Sequence, residues 1–259
     1  MKELLFIVDI GNSSIGFGVF EDEVLLKRCE IASKDAELDD IRLSLEKFVK
    51  DINKKDARFT GGLISSVVPR ISRLVQIAVT SVIGIEIPIM DQRYQKLVKI
   101  DEKIKDEIGG DILSDIAAAS KYYECPALVI DLGTITKFIL MDKNATFIAT
   151  NFFPGVGLCA NLMSEKTALL PEIDANSIPD LYMGVDTLSA MNGGLYYGTV
   201  HMVEGFAKKL SKEYNLKSVI LTGGYSELIH KSLPEYILDK DLVLKGVLTL
   251  FRKAKENGF

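Results

Sequence analysis

The sequence predicts an α/β protein built from two duplicated halves, and three observations carry that expectation. An acidic residue followed by a glycine turn separates two apolar runs near the start of the chain, and the same arrangement returns near its middle. Strand-like and helix-like patterns alternate through the remainder. With 259 residues the chain suits one large domain or two ordinary ones. The repeat selects two, expected at residues 1–112 and 113–259.

The elements follow in order. Leu5-Phe6-Ile7-Val8 has strand length and runs into Asp9-Ile10-Gly11-Asn12-Ser13-Ser14; Phe17-Gly18-Val19-Phe20 is the returning strand. Ile41, Leu45, Phe48, Val49 and Ile52 recur at helical spacing with charges between them. Gly61 to Ser66 reads as a strand, and Pro69 opens a helix over about Ile71 to Val82. A short strand is expected from Glu86 to Met90, and a helix from Asp111 to about Tyr123. The alanines at 117–119 allow that helix to pack closely, as expected between the halves. The second half opens with Leu128-Val129-Ile130, the turn Asp131-Leu132-Gly133-Thr134-Ile135-Thr136, and Phe138-Ile139-Leu140. A long helix is expected from Thr187 to Leu210, interrupted at Gly193-Gly194. Val219-Ile220-Leu221 is a strand ending in Thr222-Gly223-Gly224, and Leu242 to Asn257 supplies a terminal helix.

Composition excludes several functions. Thirty-one basic against 36 acidic side chains leave a net charge of −5, and tryptophan is absent, so no nucleic-acid surface is expected. Three cysteines without CxxC spacing and two histidines argue against a disulfide framework, a zinc site and a histidine-based triad. The first apolar run is too short for a signal peptide, and no stretch reaches the length of a membrane span. A cytoplasmic protein with no membrane partner is therefore expected. The lysines between Lys96 and Lys105 are interspersed with acids and read as a solvated face.

The repeated turn has a chemistry of its own. Glycine lets backbone approach a ligand without a Cβ clash, so N–H groups can cradle phosphate oxygens while the carboxylate holds a cation. Two such turns facing each other across a cleft would grip a nucleotide triphosphate, and Thr222-Gly223-Gly224 suits a nucleoside. The chain contains neither a Walker motif nor GxGxxG after a strand.

These paired phosphate turns and the late glycine pair resemble the actin, sugar-kinase and heat-shock chaperone ATPase superfamily. More narrowly, the chain resembles the type III pantothenate kinases over nearly its whole length. The resemblance rests on Asp9-Ile10-Gly11-Asn12-Ser13, Ser66-Val67-Val68-Pro69, Gly109-Gly110-Asp111, Asp131-Leu132-Gly133-Thr134 and Pro154-Gly155. It continues through Thr167 to Pro171, Gly184-Val185-Asp186-Thr187, Thr222-Gly223-Gly224 and Asp241 to Leu244. It implies two actin-like (ribonuclease H-like) domains with a nucleotide cleft, and ATP-dependent phosphorylation of pantothenate at the start of coenzyme A synthesis. ATP would fall on Asp9, Ile10, Gly11, Asn12, Ser13, Ser14, Ile15 and Gly16, with Thr134, Gly223 and Gly224. Magnesium would sit at Asp9, and potassium or ammonium at Asp131. Asp111 would be the general base, although an aspartate there also suits a helix N-cap. Gly109, Gly110, Asp111, Ile112 and Thr187 would meet the substrate, Thr187 across a homodimer interface.

The sequence departs from the family pattern on the substrate side. The arginine after the base is Ile112, which removes a fork of donors for a carboxylate. A Tyr-Asp-Asn-Pro stretch is replaced by Glu102-Lys103-Ile104-Lys105, and a glycine pair by Ala149-Thr150. The threonine after the second turn is Lys137, which can reach a phosphate, replace a monovalent cation or pair elsewhere. Two other readings stay open: a paralogue acting on another small hydroxylated molecule, and a non-catalytic dimer that binds nucleotide.

Overall fold

The computed structural model describes residues 2–50, 52, 57–101, 103–104 and 108–258. Along the first half run β1 (Lys2–Ile10), β2 (Ser14–Glu21), β3 (Val24–Ala32), α1 (Leu38–Val49), β4 (Ala57–Ser66), α2 (Pro69–Ile83), β5 (Lys99–Ile100) and α3 (Gly110–Tyr122). A 3-10 turn, Gln92–Leu97, precedes β5. The second half contains β6 (Ala127–Leu132), β7 (Ile135–Met141), β8 (Thr146–Pro154), α4 (Val156–Lys166), α5 (Thr187–Tyr214), β9 (Ser218–Thr222), α6 (Ser226–His230), β10 (Ile237–Leu238) and α7 (Leu242–Glu256).

The chain forms two compact units. One holds Met1–Lys99, Lys105–Lys121 and Leu242–Phe259, the other Ile100–Ile104 and Tyr122–Asp241. In the first, the strand order is β3-β2-β1-β4, with β1 antiparallel to β2 and parallel to β4. Leu4, Phe6, Val8 and Ile10 alternate along β1 toward one face, where Ile41, Leu45, Val75 and Val79 of α1 and α2 close the core. The second unit's sheet runs β10-β9-β6-β7-β8-β5, with β6 antiparallel to β7 and parallel to β9. Leu128 and Ile130 pack there with Tyr196, Val200 and Val203 of α5. The succession β8-β7-β6-β9 therefore repeats β3-β2-β1-β4, an antiparallel meander with a parallel fourth strand. The duplication expected from two short turns extends through four strands of each sheet.

Several expectations are corrected. The compact units are not contiguous, as a division at 112/113 would make them: α3 and α7 both belong to the first. Gly246 of α7 lies so close to α3 that a Cβ would overlap the carbonyl of Ser114. The close approach expected of α3 is thus made to α7, within one unit. Glu86 to Met90 is not a strand but an isolated bridge of Ile89 to Ile64. Ile64 N donates to Pro88 O at 2.9 Å and Met90 N to Ile64 O at 2.7 Å. Pro88 has no N–H to extend the ladder.

Helix α5 is uninterrupted over 28 residues. A Cβ on Gly193 would stand 3.2 Å from Tyr182 O, so glycine there admits a passing chain rather than breaking the helix. Burial of Met191, Tyr196, Val200, Val203 and Ala207 offsets a glycine cost of about 1 kcal/mol per residue.

Candidate active site

The first turn closes the β1–β2 hairpin. Gly11 N donates to Ser14 O at 2.9 Å, Ser33 Oγ to Gly11 O at 2.6 Å, and Val67 N to Ile10 O at 3.1 Å. Ile10 and Ile15 are buried beneath the turn, Gly16 is half-buried, and Asn12 and Ser13 are exposed at its tip. Half-buried Asp9 is flanked in register by Gly16 on β2 and Ser65 on β4. Ser65 Oγ is buried without a hydrogen-bond partner among the described residues. A carboxylate, a waiting hydroxyl and a position without a side chain form one rank across three strands. Hard oxygen donors beside open space suit a magnesium ion, which keeps several waters and takes only one or two carboxylates. No group of three or more His, Cys, Asp or Glu that could hold a metal occurs among the described residues.

Asp111 stands in the first turn of α3, where a helix N-terminus favours negative charge. It is not the N-cap: Leu113 N already donates to Gly109 O at 3.0 Å, so the helix begins before it. Its Oδ1 accepts from Ile112 N at 2.9 Å and lies against the bare backbone of Gly109. A Cβ on Gly110 would come within 2.7 Å of Ser65 Oγ, which brings the start of α3 to the rank containing Asp9. Gly109 and Gly110 line a cavity of about 310 Å³ together with Ser66, Met90, Gln95 and Leu113. Asp91 also lines it, and a hydrogen bond from the Arg93 side chain holds its carboxyl below the usual range. Ile112 is buried and absent from the cavity wall. Glu102 and Lys105 lie outside the described residues.

The second turn joins β6 to β7. Asp131 is flanked by Lys137 on β7 and Thr222 on β9, and Lys137 Nζ stands 2.6 Å from Asp131 Oδ2. Thr222 Oγ1 is buried and lacks a hydrogen-bond partner among the described residues. Gly223 has φ 86°, and a Cβ there would overlap Asp131 Oδ1. Gly155 N donates to Thr134 O at 2.9 Å, and a Cβ on Gly155 would overlap the carbonyl of Gly133. Thr134 and Gly224 are exposed. Thr187 is exposed at the first position of α5, behind the N-cap Asp186, which accepts from Ser189 N at 2.8 Å.

The second turn places Asp131 beside Gly223 and links Thr134 to Gly155, whereas Thr187 lies at the start of α5 with no contact to them shown. Sequence reasoning missed Ser65 and Thr222 as neighbours of the two aspartates. The only available signal was a hydroxyl residue near the end of a strand that follows each hairpin.

The type III pantothenate kinase family model matches residues 5–209. The type III pantothenate kinase of Agathobacter rectalis is 30% identical over 98% of this chain and 99% of its own. That of Listeria monocytogenes is 29% identical over 97% of this chain and 98% of its own. Among solved structures, a ROK hexokinase from Thermus thermophilus aligns with a TM-score of 0.53 at 12% identity, covering 97% of this chain and 99% of that one. Component A of (R)-2-hydroxyglutaryl-CoA dehydratase from Acidaminococcus fermentans aligns with a TM-score of 0.54 at 17% identity, covering 98% and 99%. These two likenesses concern the fold alone.

Proposed function

Because the chain belongs to the type III pantothenate kinase family, we propose that it transfers the γ-phosphoryl group of ATP to the primary hydroxyl of pantothenate, opening coenzyme A synthesis. Asp111 is the general base: its carboxylate takes the hydroxyl proton as that oxygen attacks the γ-phosphorus. The bond from phosphorus to the β–γ bridging oxygen breaks, and ADP leaves. The placement of Asp111 in the first turn of α3, with its Oδ1 against Gly109, supports this reading: Gly109 lines the 310 Å³ cavity, although Asp111 itself does not. Phosphoryl transfer depends mostly on positioning and charge neutralisation, so one modest base suffices.

The first turn, Asp9 to Gly16, receives phosphate oxygens. Asp9 with Ser65 holds magnesium, whose chemistry is to neutralise charge on the phosphates. Within the second unit, Thr134, Gly223 and Gly224 are proposed to contact nucleotide. Gly109 and Gly110 meet pantothenate, and Thr187 meets it across a homodimer interface, which the apolar surface beside Thr187 supports. There Met183 is 76% exposed and Val185 84%, and Leu188 is also exposed. No helix among the described residues is long and apolar enough to cross a membrane.

The test is to incubate the purified chain with ATP, magnesium and pantothenate and to follow 4′-phosphopantothenate by mass spectrometry. Asp111→Asn is expected to lower kcat by roughly 10²- to 10⁴-fold with an unchanged unfolding midpoint. No product from the wild-type chain at millimolar pantothenate overturns the reading. Buried Ile112 and the ionised Asp91 on the cavity wall favour a second reading, in which the accepted alcohol lacks pantothenate's carboxylate. A phosphorylation screen over neutral and carboxylated alcohols distinguishes the two.

A further inference from the structure

Resemblance to the family assigns a potassium or ammonium ion to Asp131. The residues around that carboxylate do not fit one. Lys137 stands directly opposite Asp131 in the β6–β7 register, with Nζ 2.6 Å from Oδ2. The two side chains are only 11% and 9% exposed. The other oxygen, Oδ1, is covered by the backbone of Gly223. An ion entering here would meet an ammonium group already paired with the carboxylate, and two like charges at contact distance repel strongly when solvent is thin. Thr222 Oγ1 is the one further side-chain oxygen in the rank of Asp131, Lys137 and Thr222, and it is neutral. A monovalent cation needs a whole shell of oxygens to replace its water.

The charge requirement is nevertheless met. A carboxylate buried to this degree is costly without a cation beside it. The lysine supplies that cation from the same hairpin, at fixed register and independently of the solution. The neighbouring turn residues, Gly133 and Thr134, follow Asp131 directly and are held by the Gly155–Thr134 hydrogen bond. A cation fixed on Asp131 therefore fixes the start of the turn proposed to meet ATP.

We propose that Lys137 is a built-in replacement for the monovalent cation, so that nucleotide binding and phosphoryl transfer in this chain do not respond to potassium or ammonium. The inference rests on the kinase reading for its catalytic part only. Lys137 is on this account a positioning residue: it acts through Asp131 and the second turn.

The experiment uses the full chain with magnesium and the non-hydrolysable analogue AMPPNP, in potassium, ammonium or tetramethylammonium chloride at equal ionic strength. Unfolding midpoint and AMPPNP affinity are measured in each salt. For the wild-type chain, affinity is expected to agree among the salts within about twofold, well inside one hydrogen bond's worth of discrimination. In tetramethylammonium, Lys137→Thr is expected to bind AMPPNP roughly 10- to 100-fold more weakly, with recovery in potassium or ammonium. A potassium-selective rise in the wild-type midpoint or affinity overturns the proposal, as does AMPPNP binding in none of the salts. Should Lys137→Thr not fold, the wild-type salt series decides alone. A chain that binds AMPPNP equally in every salt but phosphorylates no pantothenate refutes the proposed function and leaves the cation replacement standing.

Discussion

The two turns share a plan and differ in charge at one position of the rank. In each unit an aspartate stands next to last in the strand that enters the turn, and a buried hydroxyl stands beside it on the parallel strand, Ser65 by Asp9 and Thr222 by Asp131. The third member of the rank, on the antiparallel strand, is Gly16 in the first unit and Lys137 in the second. Glycine puts no side chain opposite Asp9, which leaves space there for the cation proposed above. Lysine fills the same place opposite Asp131 with a tethered one. Duplication thus supplied two similar ranks, in which glycine stands opposite one aspartate and lysine opposite the other.

The comparison predicts that removing charge has opposite consequences in the two ranks. Asp131→Ala leaves buried Lys137 without its carboxylate and is expected to destabilise the chain by about 3–5 kcal/mol, measured by urea unfolding. Replacing both partners, Asp131→Leu with Lys137→Met, is expected to recover most of that loss, because no buried charge remains. Failure of the double variant to recover would break the proposed symmetry. Asp9→Asn is expected to keep the unfolding midpoint but to lower kcat by roughly 10²- to 10³-fold, assayed over a magnesium titration. A large loss of stability there would make the first rank structural.

Backbone support can be tested next. Gly223→Ala imposes a left-handed conformation on a residue with a Cβ and pushes that atom against Asp131. The cost is expected to be about 1–3 kcal/mol, read from the thermal midpoint, with the Lys137 partner displaced as well. A smaller effect belongs to the waiting hydroxyls. Thr222→Val is expected to be neutral or stabilising within about 1 kcal/mol, since no hydrogen bond is lost. Ser65→Ala is expected to be equally harmless to folding but to raise the magnesium requirement for activity. Equal behaviour of both variants in the magnesium titration would erase the distinction between the ranks.

The smallest effect serves as a control outside both turns. Backbone and side-chain hydrogen bonds from Ser189 hold the Asp186 carboxyl below its usual range. A lowered carboxyl value contributes stability that is present above the unfolded aspartate value of about 3.9 and fades as pH falls through the lower folded one. The midpoint difference between wild type and Asp186→Ala is therefore expected to narrow in acid. Activity at neutral pH tests separately whether Thr187, just after this cap, meets substrate.

The hairpins were legible because strand, aspartate, glycine and returning strand are contiguous, and local chemistry determines such turns. Helix α1 was legible from its apolar spacing and α2 from the proline that opens it. Strands β3 and β8 were not. β3 alternates exposed and half-buried residues along a sheet edge, with Lys27, Arg28 and Glu30 among them, so its pattern is faint. The interruption expected in α5 failed for a related reason, since the contact that requires Gly193 comes from Leu181 and Tyr182, outside the helix.

By itself the sequence determined the duplication, the positions of both aspartates and the presence of an unusual lysine after the second turn, while Asp111 became a base candidate only through the family resemblance. These are features of residue type and local order, which short-range sterics and polarity govern. Only the tertiary structure decided what stands beside each aspartate. Ser65 reaches Asp9, and Thr222 reaches Asp131, through parallel pairings that close long loops, and Lys137 meets Asp131 only because the hairpin register sets them opposite. Register is a property of paired strands, and a shift of one residue would have turned the lysine to the other face of the sheet.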